Sequence, residues 1–239
     1  MHNLHNKAKF FICLVVLAGL GTMAGGMLRW DCTDVLRFVS FLVVASLASR
    51  LKVSLPGVTG NMSMNLPFLL IAIAELSLGE AVVIAAASTL VQCLPSGGRR
   101  LRPVQVLFNT STLVLAVGAG AFAFQRGASM SSALAESLLT VVAGVAFLIA
   151  NTAPVAGVIA MSEGKSVLKV WNEIFSLTFP YFGLGAAIAA LTVAASHYIG
   201  WQTPLFIIPV MVLAYRSFKR LFTATLPEPL RMRSAAAAD

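Results

Sequence analysis

LPGVTGNMSMNLPFLLIAIAELSLGEAVVIAAASTLVQCL, residues 55–94, holds two apolar runs that meet at Ser77-Leu78-Gly79-Glu80. The runs 62–76 and 81–94 are each shorter than the ~20 apolar residues a lone lipid-facing helix needs. They read as a short hairpin inside a bundle whose longer neighbours screen its ends from lipid. Pro56, Gly57 and Gly60 precede the hairpin and cannot continue a helix cheaply. They deliver an irregular polar segment at or near membrane depth, where unpaired backbone is tolerated only against protein or a cavity. A ligand fits such a place.

The rest of the chain agrees with a membrane setting. Of 239 residues, 58% are hydrophobic and only 11% charged, too little polar surface for a soluble domain of this length. The 17 Lys and Arg against nine acids fall in clusters between apolar runs, which is the pattern of membrane topology and not of a nucleic-acid surface. Cys13, Cys32 and Cys93 are far apart and lack CxxC spacing, so neither a zinc site nor a disulfide framework is indicated. No cofactor or metal is expected.

Lys7 and Lys9 ahead of the run 10–28 resemble a signal peptide, with Thr22-Met23-Ala24 as a poor cleavage site, but the run exceeds the usual apolar core. It reads as an uncleaved first helix with a small-residue face at Gly21, Gly25 and Gly26. Further apolar runs cover 35–49, the two hairpin arms, 103–124, 138–161, 170–195 and 204–215. Pro154 and Pro180 are expected to kink or locally unwind their helices, and residues 162–169 read as a polar loop. The expectation is an all-α polytopic membrane bundle of about eight crossings, with residues 1–222 as one transmembrane domain and 223–239 as a short cytoplasmic tail, disordered beyond Leu226. With both termini cytoplasmic, only Arg29, Arg37 and Arg126 of the 17 basic residues fall outside, as the positive-inside rule demands. Trp30, Tyr198 and Trp201 then mark the outer interface, Trp171 and Tyr215 the inner one.

No HExxH, Walker loop, GxSxG or carboxylate pair at helical spacing occurs. Catalysis has little to stand on. Polar side chains inside apolar runs are the candidates instead, because they are costly unless partnered. Asn109-Thr110 and Asn151-Thr152 echo one another on two consecutive helices. At ~1.5 Å per residue, Asn109 lies ~9 Å and Asn151 ~15 Å from their cytoplasmic ends, so the two can meet in the cytoplasmic half. They either fasten the bundle by hydrogen bonds or bind a ligand together with Asn61, Asn65, Trp171 and Glu173. Glu75 and Glu80 read as an exposed hairpin tip, and Glu173 as an interfacial carboxylate beside Lys169.

The stretches LPGVTGNMSMNLPF, FNTSTLVL, NTAPVAGVIAMSEGK, WNEIFSLTFPY and PVMVLAYRSFKRL resemble the N-terminal integral-membrane (MASE-type) input region of bacterial HD-GYP and GGDEF signalling proteins. The Pro-Gly segment and hairpin are more distantly similar to the substrate-binding S component of energy-coupling-factor vitamin transporters. The first resemblance implies a sensor in the bacterial inner membrane that binds a small molecule and signals to a cytoplasmic partner through Tyr215, Arg216, Lys219 and Arg220. No HD, HD-GYP or GGDEF signature is present, so any output is expected from a separate partner, or the chain is a free-standing binder. The second implies a nutrient-binding subunit that docks on an energising membrane partner through small-residue faces such as Gly19, Gly21 and Gly25, or Ala116 and Gly120.

Overall fold

The computed structural model describes residues 6–54, 61–94, 102–127 and 132–224. In order these form α1 (Asn6–Met27), α2 (Val35–Ala48), β1 (Lys52–Ser54), β2 (Asn61–Ser63), α3 (Leu66–Glu75), α4 (Leu78–Cys93), α5 (Pro103–Arg126), α6 (Ala133–Glu163), α7 (Val167–Ile199), α8 (Thr203–Phe206) and α9 (Ile208–Ala224). Four of them, α1, α5, α6 and α7, are long and apolar enough to cross a membrane. The tail beyond Ala224, the segment holding Pro56, Gly57 and Gly60, and the loop of Arg99 and Arg100 lie outside the described residues.

The hairpin sits at the centre. In α3 every side chain from Leu66 to Ile73 is buried, with Leu69, Leu70, Ile71 and Ala72 fully enclosed. A helix apolar on all sides has no face to give to solvent and belongs in the middle of a bundle. At ~1.5 Å per residue its ten residues span only ~15 Å, half a hydrocarbon core. The β1–β2 ribbon extends this arm. Lys52 pairs with Ser63, Val53 with Met62 and Ser54 with Asn61, antiparallel, and Met64 N–H donates to the Leu51 carbonyl. The segment expected to be irregular therefore has its flanks paired, which satisfies backbone groups that a purely apolar setting would leave stranded.

The long helices pack around α3, and their contacts fix an alternating up-and-down order. On α1, Gly19 lies against Ser111 and Thr22 against Gly118, so α1 and α5 run parallel. A Cβ on Gly19 would stand 2.5 Å from the Ser111 Cβ, so only glycine permits this approach. Gly157 of α6 meets Phe11 near the start of α1, and Gly120 of α5 meets Ile73 and Ala143. Ala116, Val117 and Ala143 complete the core beside Phe68, Phe147 and Phe182.

One expectation changes here and another narrows. The polar loop of residues 162–169 shrinks to three residues, because α6 continues to Glu163 and α7 begins at Val167; Gly164, at φ 66°, closes α6 in the left-handed conformation. Both α6 and α7 also remain helical through Pro154 and Pro180, without local unwinding.

Candidate functional site

Two polar clusters lie at opposite ends of α3. At its N-terminal end the Tyr181 hydroxyl donates to the Ser63 carbonyl at 2.7 Å and accepts from Leu66 N–H at 3.3 Å. The Asn65 side chain accepts from Ser63 Oγ and donates to Ser88 Oγ on α4, which in turn donates to the Ala85 carbonyl. Tyr181 is buried and its ring packs edge-on against Phe218 of α9, 5.9 Å between centroids. One phenol thus ties the ribbon, α3 and α9 together.

The candidates read from sequence fall around this end and on the helices beside it. Asn65 belongs to the cluster; Asn61 sits in β2 opposite Ser54, with its side chain outside the described residues. Asn109 is exposed and reaches the Cys93 thiol, and Thr110 donates to the Val106 carbonyl of its own helix. Asn151 is half-buried; no hydrogen bond joins it to Asn109 among the described residues. Thr152 is buried, donates to the Leu148 carbonyl and accepts from the Trp171 indole at 3.0 Å. This bond fastens α6 to α7 at the level where Ala156, Ala160, Val170 and Ile174 pack. Glu173 is exposed and forms no ion pair with Lys169 among the described residues; a separate pair joins Lys165 to Glu163. On α9, Tyr215 is half-buried against the core, Arg216 and Arg220 are exposed, and the Lys219 side chain is outside the described residues.

The second cluster is at the α3–α4 turn, where the sequence indicated only an exposed tip. Ser77 N-caps α4: its hydroxyl accepts from Glu80 N–H, while the Glu80 carboxylate accepts from Ser77 N–H at 2.9 Å and from its hydroxyl at 2.8 Å. Glu80 is consequently 3% exposed. Glu75, with its side chain 8% exposed, takes a 2.5 Å ion pair from Arg37 of α2. Arg37 is aimed by its own helix start, since Asp34 N-caps α2 by accepting from Arg37 N–H. The signals for both were present in the sequence. Ser-x-x-Glu is a capping-box signature, and an arginine in the first turn of an apolar helix needs an acid at its own depth.

Around this pair opens a pocket of about 230 Å³. Asp31, Asp34, Glu75 and Glu80 bring carboxylates to its wall, Arg37 brings one guanidinium, and Thr33, Leu76 and Ser77 complete it. Glu75 Oε1 and Arg37 Nε are buried without hydrogen-bond partners. The neighbouring Cys32 thiol is pushed up from its ordinary value, first by desolvation, then by its hydrogen bond to Glu80 and by the charges of Glu80, Asp34 and Asp31. Such a pocket can hold a small polar molecule by hydrogen bonds and charge. No three His, Cys, Asp or Glu among the described residues are placed to hold a metal ion. No protein-family model, curated protein or solved structure matches the chain.

Proposed function

We propose that the chain is a non-catalytic input module of the bacterial inner membrane, crossing it about eight times with both termini cytoplasmic. It takes a small molecule into the pocket beside Arg37 and Glu75 and passes occupancy to a separate cytoplasmic signalling protein through α9. The observation that carries this reading is the position of α3. Its C-terminal residue Glu75 forms the pocket wall, its N-terminal Leu66 hangs on Tyr181, and Tyr181 packs on Phe218 in the helix that bears Arg216 and Arg220. A fully buried helix cannot shift at one end without its packed neighbours responding, because cores rearrange between discrete packings and do not deform smoothly.

The test is capture from native membranes with the intact chain and with a form truncated at Tyr215. The intact form should enrich a signalling protein that the truncated form loses. Enrichment of none by the intact form removes the reading.

One observation favours a transport subunit as the second reading. Gly21 and Gly25 of α1 have nothing within 4 Å of a built Cβ, leaving a small-residue stripe open for another helix. Gly19, Ala116 and Gly120 are already used for internal packing. Co-purification of a membrane protein with an ATPase subunit, lost in Gly21→Leu/Gly25→Leu, would select this alternative.

A further inference from the structure

We infer that the pocket at the α3–α4 turn selects a small organic cation bearing N–H donors, a primary or secondary ammonium or an amidinium. This rests on the reading that places the ligand in that pocket. Four carboxylates face one guanidinium there, a formal balance of −3. The acceptors already engaged can be set aside. Glu80 serves the Ser77 cap and the Cys32 thiol, Asp34 Oδ1 takes Arg37 N–H, and Glu75 Oε2 takes the guanidinium.

What remains is one unpartnered donor, Arg37 Nε, against an excess of carboxylate acceptors. Glu75 Oε1 is buried with no donor, in a side chain more than nine-tenths buried on the pocket wall. Asp31 makes no hydrogen bond or ion pair among the described residues, although it lines the same pocket. A buried carboxylate oxygen without a donor costs about 1–3 kcal/mol or more, so a ligand that supplies N–H groups gains where one supplying acceptors loses. An anion would meet the excess negative charge with only Arg37 to attract it, and although Arg37 Nε is unpartnered, the guanidinium charge is already paired with Glu75. A bare metal ion needs several acids converging on one point, and the described residues offer none. The charge is instead spread around the wall of a pocket of about 230 Å³, room enough for a short alkylamine. No aromatic ring lines the pocket, so a quaternary ammonium would lack both its cation–π cage and any use for the free acceptors.

The experiment is calorimetric titration of the full chain in lipid nanodiscs with ethylamine, 1,3-diaminopropane, tetramethylammonium, glycine, acetate and magnesium. The two amines should bind saturably and the others at least tenfold more weakly. Asp31→Asn, a change at an exposed side chain with no partner to strand, should weaken the amines tenfold or more, and Glu75→Gln should weaken them further. Amine binding that is absent, non-saturable or indifferent to Asp31→Asn overturns the inference, as does tighter binding of acetate, glycine, tetramethylammonium or magnesium. Partner capture through α9, run with the same compounds, separates the two proposals. Amines that bind and leave capture unchanged remove the signalling reading and keep the cation site. A compound that alters capture while amines fail to bind keeps signalling and removes the cation class.

Discussion

Arg37 and Glu75 form a pair of unequal exposure, 26% against 8% for the side chains. Removing one partner strands the other, and the stranded guanidinium is partly hydrated while the stranded carboxylate is not. Arg37→Met is therefore expected to destabilise more than Glu75→Leu, by about 1–3 kcal/mol after allowance for exposure. The double change should recover most of that loss, since two apolar side chains replace two charges in one place. Denaturation in mixed micelles, run on all three variants, reads this as a non-additive cycle. Cys32 reports the same field chemically. Desolvation first, and then the carboxylates around it, suppress the thiolate, so Asp31→Asn should speed its alkylation at pH 8; a rate that stays the same or falls contradicts the account. Little of this cluster was legible as a site. Glu75 looked like an exposed tip because its partner Arg37 lies far off in sequence, and spacing along one element says nothing about a partner on another; for Glu80 the Ser77-x-x-Glu80 capping signature was there to be read. Asn65 was legible for the opposite reason. It stands between a ribbon and a helix start, where a polar side chain has backbone to serve.

The elements themselves were read more surely than the polar contacts between them. Apolar length alone located the long helices, and the shortness of the 62–76 run was enough to place that arm inside the bundle, where α3 is fully enclosed. The ribbon was less accessible, since its pairing depends on which residues face each other across the segment holding Pro56 and Gly60. Helix ends moved for a local reason: Gly164 can close α6 at positive φ, so the helix continues through Ser162 and Glu163. Close approach between elements gives a sharper test. Gly19 and Gly21 are neighbours on α1, yet one touches the Ser111 backbone and the other touches nothing. Gly19→Ile should cost about 1–3 kcal/mol through overpacking of α1 on α5, whereas Gly21→Ile should leave stability within about 0.5 kcal/mol. Equal effects in a detergent unfolding series would show that α1 is not held by that approach.

At the scale of the whole molecule, the alternation of α1 to α7 makes orientation a single choice for the entire bundle. With the Arg37–Glu75 end outward, Gln202→Cys should react with a membrane-impermeant maleimide in intact cells, and Ser166→Cys only after the membrane is opened, both in a background lacking the native cysteines. The reverse pattern would turn the pocket inward and move any extracellular ligand out of reach. The order of synthesis adds a different constraint. Helix α9 packs on β1, and α5, α6 and α7 are made between them, a delay on the order of ten seconds at ordinary rates of chain elongation. Throughout that interval the nascent ribbon lacks the cover that α9 gives it. Chains stopped before Ile208 are expected to disappear several-fold faster in a pulse-chase than chains stopped after Ala224, with the difference abolished in cells lacking the responsible membrane protease.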